Sequence, residues 1–257
     1  MRHSATGRCR LCETDGVLRE SHILPKWSYE RILQRETTGQ TQPVLIENGV
    51  ALLTNRQAKE YLLCEDCEQR FSRDENYVSQ IVLQADDSFP WQAALRRTRS
   101  MPAGVADSSA VEVDRICRFA LSVIWRGSHS AEFASCRLGP YEGDVRQYLL
   151  GAKPFPDRGA LRVILTVRPD DERPRMDRIV TGPRSERDRR SHVQWFAICG
   201  ALFHFWIGGE VRPAVRLACF SRVGHVGIGD MKPFVMNVAK QIVSAKKKGK
   251  YARQPSD

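Results

Sequence analysis

The chain has 257 residues, of which 42% are hydrophobic and 27% charged, the composition of a soluble globular protein with room for one large domain or two modest ones. Its net charge of +10 points to a polyanionic partner, nucleic acid being the common one. The longest apolar run, Trp195–Ile207, falls short of the roughly 20 residues that a spanning helix needs, which excludes a transmembrane helix.

In chain order, Val17–Ile23 reads as a strand running into His22. Pro25 punctuates it, and Lys26–Gln34 reads as a helix with Trp27, Ile32 and Leu33 for packing. Pro43–Leu53 holds two apolar runs around Glu47-Asn48-Gly49, a strong hairpin signal. A helix is expected from about Cys64 to Gln84, with Phe71, Val78, Ile81 and Val82 at helical spacing. Met101–Ser109 is the best linker, dividing the chain into residues 1–100 and a second unit over 110–257.

The second unit opens on a helix over Val111–Arg126, with Ile116, Phe119, Ala120 and Val123 as its apolar stripe. Val145–Leu150 suits another short helix, and Leu161–Val167 a strand. Pro169–Arg190 is charged and arginine-rich and reads as a loop. The aromatic and β-branched run Trp195–Ile207 suits buried strands, and Val215–Phe220 adds a further one. A last helix is expected to start at Asp230 and Pro233, carry Phe234, Val238 and Ile242 on one face, and end in Lys246, Lys247, Lys248 and Lys250. That basic end suits the helix dipole and equally suits phosphates.

The eight cysteines divide into two groups. Cys117, Cys136, Cys199 and Cys219 are scattered in apolar surroundings and read as core. Cys9 and Cys12 form one Cys-x-x-Cys step and Cys64 and Cys67 a second, together a complete four-thiolate zinc site. The N-terminus lacks the apolar core of a signal peptide, so a cytoplasmic, reducing setting is expected, where such steps bind metal rather than form disulfides. Each step makes a tight turn, and the second opens directly into a helix. Knuckle, hairpin, then knuckle at a helix start is the treble-clef arrangement. The fold class expected is therefore α+β: an N-terminal zinc module followed by a mixed α+β domain.

His22 then lies on a strand facing the first turn of the helix after Cys67, which carries Glu68. Glu75 falls on the same helical face seven residues on. A histidine and carboxylates meeting beside Lys26, Arg70 and Arg73 are workable hydrolase chemistry: the histidine deprotonates water and the carboxylate holds a divalent ion. The bland alternative is a hydrogen-bonded strand-end histidine and an acid that merely favours a helix N-terminus.

Cys9-x-x-Cys12, Glu20-Ser21-His22-Ile23-Leu24-Pro25-Lys26-Trp27 and Leu63-Cys64-x-x-Cys67-Glu68-x-x-Phe71-Ser72 together resemble the zinc-stabilised HNH endonucleases of the ββα-metal, treble-clef type. The resemblance covers about residues 9–80. It implies that His22 is the general base, that the four cysteines hold structural Zn²⁺, and that Mg²⁺, Mn²⁺ or Ni²⁺ is the catalytic ion. Ser21 stands where the family usually has an Asp or His ligand, and Glu68 where it has Asn or His. Serine is the poorer ligand, whereas glutamate is a hard oxygen donor.

The expectation is an HNH-type endonuclease acting on DNA phosphodiesters, in the setting of bacterial restriction or defence, with Ser21, His22 and Glu68 at its centre. The alternative is a catalytically inactive, zinc-finger-like module that binds nucleic acid or protein. A third reading is an interaction protein whose apolar C-terminal strands form a homo-oligomer or partner interface. No membrane partner is expected.

Overall fold

In a computed structural model of the chain, the residues described are 5–33, 44–47, 50–82, 95–96, 105–106, 111–166, 179–188, 190–209, 211–217, 219–223, 226–229, 240 and 244–248. The molecule is mixed α+β, with a three-stranded antiparallel sheet in its N-terminal part and, in its C-terminal part, a five-stranded sheet that is antiparallel except for one edge pair.

The N-terminal unit is built from β1 (Ala5–Arg8), β2 (Asp15–His22) and β5 (Lys59–Cys64), in the order β1-β2-β5. The short turn between β1 and β2 contains Glu13 at φ 62°, and Cys9 and Thr14 close it with a 2.9 Å backbone bond. The β2–β5 register shifts between Arg19 and Glu20: Arg19 opposes Leu63 and Glu20 opposes Tyr61, which leaves Leu62 as an extra residue. Such a bulge re-aims the strand. Leu62 and Leu63 are both buried, and Ser21 at the end of β2 is fully buried in turn. Helix α1 (Lys26–Leu33) follows β2, and α2 (Glu65–Val82) leaves β5 directly. Glu65, Asp66 and Glu68 fill the first turn of α2, where acids complement the helix dipole.

The expected hairpin is present as β3 (Val44–Glu47) paired with β4 (Val50–Leu53). In the expected linker, β7 (Val105–Ala106) pairs with β6 (Leu95–Arg96), and its other residues lie outside the described ones.

Helix α3 (Val113–His129) is buried on every side from Phe119 to Gly127. Burial thus extends beyond the expected apolar stripe and takes in Ser122 and Arg126 as well. It packs on α2 through one side and against the C-terminal sheet through the other. Phe119 meets Trp27 of α1 at 6.3 Å and Phe203 of the sheet at 5.6 Å, ring to ring. Gly127 allows a close approach of the helix to the sheet, since a Cβ there would sit 2.2 Å from Pro183. One buried cluster therefore runs from Cys9 to Phe220 and joins both halves of the chain. Helix α4 (Glu142–Leu149) follows, after a short 3₁₀ turn at Gly139–Tyr141.

The C-terminal sheet has the order β12-β8-β11-β10-β9, from β8 (Gly159–Thr166), β9 (Val180–Asp188), β10 (Ser191–Ile198), β11 (Ala201–Ile207) and β12 (Val226–Gly229). The Trp195–Ile207 run is a hairpin whose two-residue turn, Cys199–Gly200, has φ 50° and 86°. Two positive φ values in a two-residue loop are the type I′ pattern that matches strand twist. Cys117, Cys136, Cys199 and Cys219 are all buried, as expected of core cysteines.

Three expectations are corrected. Residues 180–188 of the charged segment are not loop but β9, an edge strand, where charged side chains are at home because one side faces water. Val215–Phe220 is not a strand: α5 (Pro213–Leu217) and α6 (Phe220–Val223) occupy it, with Val215 and Arg216 both donating to the Arg212 carbonyl. Pro213 at the first helical position favours this outcome. Lys246–Lys247 does not end a helix but forms β13, parallel to β4 at Val50–Ala51. The expected cap at Asp230–Pro233 and the face of Phe234, Val238 and Ile242 lie outside the described residues, as do residues 167–178. Among the described residues, no helix is long and apolar enough to cross a membrane.

Candidate metal centre and the adjoining histidine

The knuckle between β1 and β2 presents Cys9 and Cys12, and the junction of β5 with α2 presents Cys64 and Cys67. The Arg10 amide donates to the Leu62 carbonyl at 2.9 Å and so fixes one knuckle against the other. All four Sγ atoms lie within 4.8 Å of one another. Cys9 and Cys67 are buried, whereas Cys12 and Cys64 are half-buried. These four residues could hold a metal ion.

Thiols this close cannot all ionise without a counter-charge. Burial raises the Cys12 thiol, but bonds to Thr14, Cys9 and Cys64 outweigh it and bring Cys12 down to about 6. Burial first, and then the neighbouring thiols, push Cys67 well up, and burial also raises Cys64. A divalent cation at the centre removes this conflict and lets the thiolates coexist.

Beyond the cysteines, the end of β2 places Ser21 beside the first turn of α2, while the next residue, His22, turns its side chain to Gln57 and Tyr29. Ser21 Oγ donates to Glu68 Oε2 at 2.6 Å. His22 Nε2 lies 2.8 Å from Gln57 Oε1, and its ring centroid is 6.2 Å from that of Tyr29. With Gln57 Oε1 as the acceptor, Nε2 is the donor of this bond. Tyr29 is held in turn by the Ala58 amide, which donates to its hydroxyl at 3.1 Å. Burial raises the Tyr29 hydroxyl, so it stays a neutral phenol there.

Ser21 and Glu68 are thus brought together, whereas His22, next on the strand, is bound to Gln57 and not to Glu68. Glu75 is otherwise engaged: Arg126 Nη2 of α3 pairs with its Oε1. Among the described residues, His22, Glu68 and Glu75 do not form a three-ligand cluster; the four cysteines do. Of the expected phosphate-positioning cations, Lys26 pairs with Glu30 at 3.0 Å and Arg70 donates to the Leu150 carbonyl at 3.2 Å. Arg73 is exposed on α2.

Sequence reasoning missed Gln57 and Arg126. Arg126 is 1% exposed, and it also donates to the His22 carbonyl at 2.6 Å and stacks over Phe71 at 5.4 Å. Its signal was legible in principle: it follows Phe119 and Val123 at i+7 and i+3, a cation on an apolar stripe. Nearby, Asp74 of α2 accepts from Arg115 Nε at 3.1 Å and Arg118 Nε at 2.9 Å, so a row of ion pairs runs along the α2–α3 seam.

No family model, curated protein or solved structure matches the chain.

Proposed function

We propose that this chain is a zinc-stabilised HNH-type endonuclease that hydrolyses DNA phosphodiester bonds with the help of a divalent ion. One juxtaposition carries the reading: Ser21 at the end of β2 binds Glu68 in the first turn of α2 at 2.6 Å, with His22 next to it in sequence, in a strand–strand–helix unit closed by four cysteines. In this reading the unit is a treble clef and its metal a structural zinc.

His22 Nδ1 takes the proton from the attacking water, and the Nε2 bond to Gln57 holds the ring. Glu68 is the hard oxygen donor for a Mg²⁺, Mn²⁺ or Ni²⁺ ion, whose chemistry when bound is to neutralise the scissile phosphate and its leaving oxygen. Ser21 orients the Glu68 carboxylate. Glu75, paired with Arg126, supports the frame instead of binding the ion. The net charge of +10 suits a DNA partner, and a bacterial restriction or defence setting is the context in which such a nuclease would work.

The pairing of Glu75 with Arg126 favours a second reading. It withdraws a carboxylate from the site, which suits a zinc-stabilised module that binds nucleic acid without cutting it.

Cleavage of supercoiled plasmid by the zinc-loaded protein, with each ion added separately, decides between the two. Cutting that needs the ion and disappears in His22→Ala and Glu68→Ala is the expected result. Retardation of DNA by all three proteins, with no cutting by any, establishes the binding module instead.

A further inference from the structure

Away from the cysteines and His22, a cleft of about 310 Å³ opens where the edge strand β9 meets the segment before α4. Arg137, Arg187 and His192 line it, together with Ser185 and the Gly139 turn. Arg187 and His192 sit directly opposite one another in the β9–β10 register, so their side chains share one face. Neither has an acidic partner among the described residues.

Arg137 is held in place before any ligand arrives. Its amide donates to Ser185 Oγ at 2.8 Å, and its carbonyl accepts from Gln194 Nε2 at 3.1 Å. Its own Nη1 donates to the Ser128 carbonyl at 3.1 Å, which anchors one edge of the guanidinium. The acid in the lining, Glu186, accepts from the Trp195 indole at 2.8 Å. Two guanidinium side chains and an imidazole therefore line one cleft, whose one carboxylate accepts a hydrogen bond from an indole. The volume is at the small end of ligand sites, which run from roughly 300 Å³ upward. Guanidinium forks match the oxygens of a phosphate.

We propose that the Arg137–Arg187–His192 cleft binds a phosphate ester. This site is separate from the one read as a nuclease centre and stands whether or not that centre cuts.

The test is calorimetric titration of the zinc-loaded full chain with inorganic phosphate at constant ionic strength, followed by competition with adenosine monophosphate and with a short DNA duplex. Saturable binding is expected in the native protein. It should weaken about tenfold or more in Arg187→Glu, which loses a charged hydrogen bond, and partly persist in Arg187→Lys. Arg187 is exposed, so an unchanged thermal midpoint in these variants is the folding control. Displacement by the duplex identifies a backbone phosphate as the ligand, and displacement by the mononucleotide alone identifies a free ester. Either result supports the site. Absence of saturable binding, equal affinity in Arg187→Glu and His192→Gln, or phosphate that neither competitor displaces would overturn it.

Discussion

Arg126 donates from Nη1 to the carbonyl oxygen of His22, at 2.6 Å across 104 positions of sequence. The same guanidinium pairs with Glu75 and lies over Phe71. The central helix thereby reaches the strand end that carries the candidate base. The second half of the chain is part of the frame of the site, not an appendage to it.

Replacing Arg126 with leucine leaves Glu75 largely buried and unpaired, and frees the His22 carbonyl. The cost expected is about 3 kcal/mol, since removing one partner of a buried pair strands the other's charge. The double variant Arg126→Leu/Glu75→Leu should lose less than the sum of the single changes. Urea denaturation of the four proteins measures the coupling. Strict additivity would mean that the pair contributes nothing.

Stripping metal from the four cysteines should unfold the N-terminal unit, because such a site contributes on the order of 10 kcal/mol to a small domain. Mass spectrometry under native conditions should find one zinc per chain, and none in Cys9→Ala/Cys67→Ala. Acid should release the metal, since its ligands bind as thiolates. A chain that keeps its circular dichroism and its thermal midpoint in excess chelator would contradict the assignment.

Ser21 is fully buried against Glu68, so Ser21→Asp sets two carboxylates side by side. Without added ion the variant should lose about 2 kcal/mol through like-charge contact. Manganese should restore its thermal midpoint, and should do so more than in the native protein. Indifference of both midpoints to manganese would show that no ion sits between these positions.

His204 on β11 is half-buried opposite Arg162, and its buried Nδ1 has no hydrogen-bond partner among the described residues. Burial first, and Arg162 second, push its pKa down from the ordinary 6.5 to about 4. The folded form thus keeps the ring neutral at a pH where the unfolded chain already binds a proton. Its contribution is fully present above pH 6.5 and is lost as pH falls from there toward about 4. Between pH 7 and pH 5 the loss is about 2 kcal/mol. His204→Phe should flatten this part of the stability profile, as read by denaturation at each pH. An equal slope in both proteins would place the acid sensitivity elsewhere.

Local signals were enough for much of the chain. The two Cys-x-x-Cys steps, the strand into His22, the helix after Cys64 and the Asn-Gly hairpin are set by spacing and turn chemistry over a few residues. The closeness of the four cysteines follows the same logic, because tight turns aim thiolates in pairs. Residues 180–188 were misread because a strand with one open edge needs no apolar pattern; its pairing with β10 decides it. Val215 misled in the opposite way, an apolar run too short to separate strand from helix until Pro213 and the Arg212 carbonyl set the turn. Tertiary structure alone decided the commitments of individual side chains. Spacing placed Glu75 on the same helical face as Glu68, but only the packing of α3 on α2 gives it to Arg126. A buried charge must find a partner, and no local pattern says which distant one it will be.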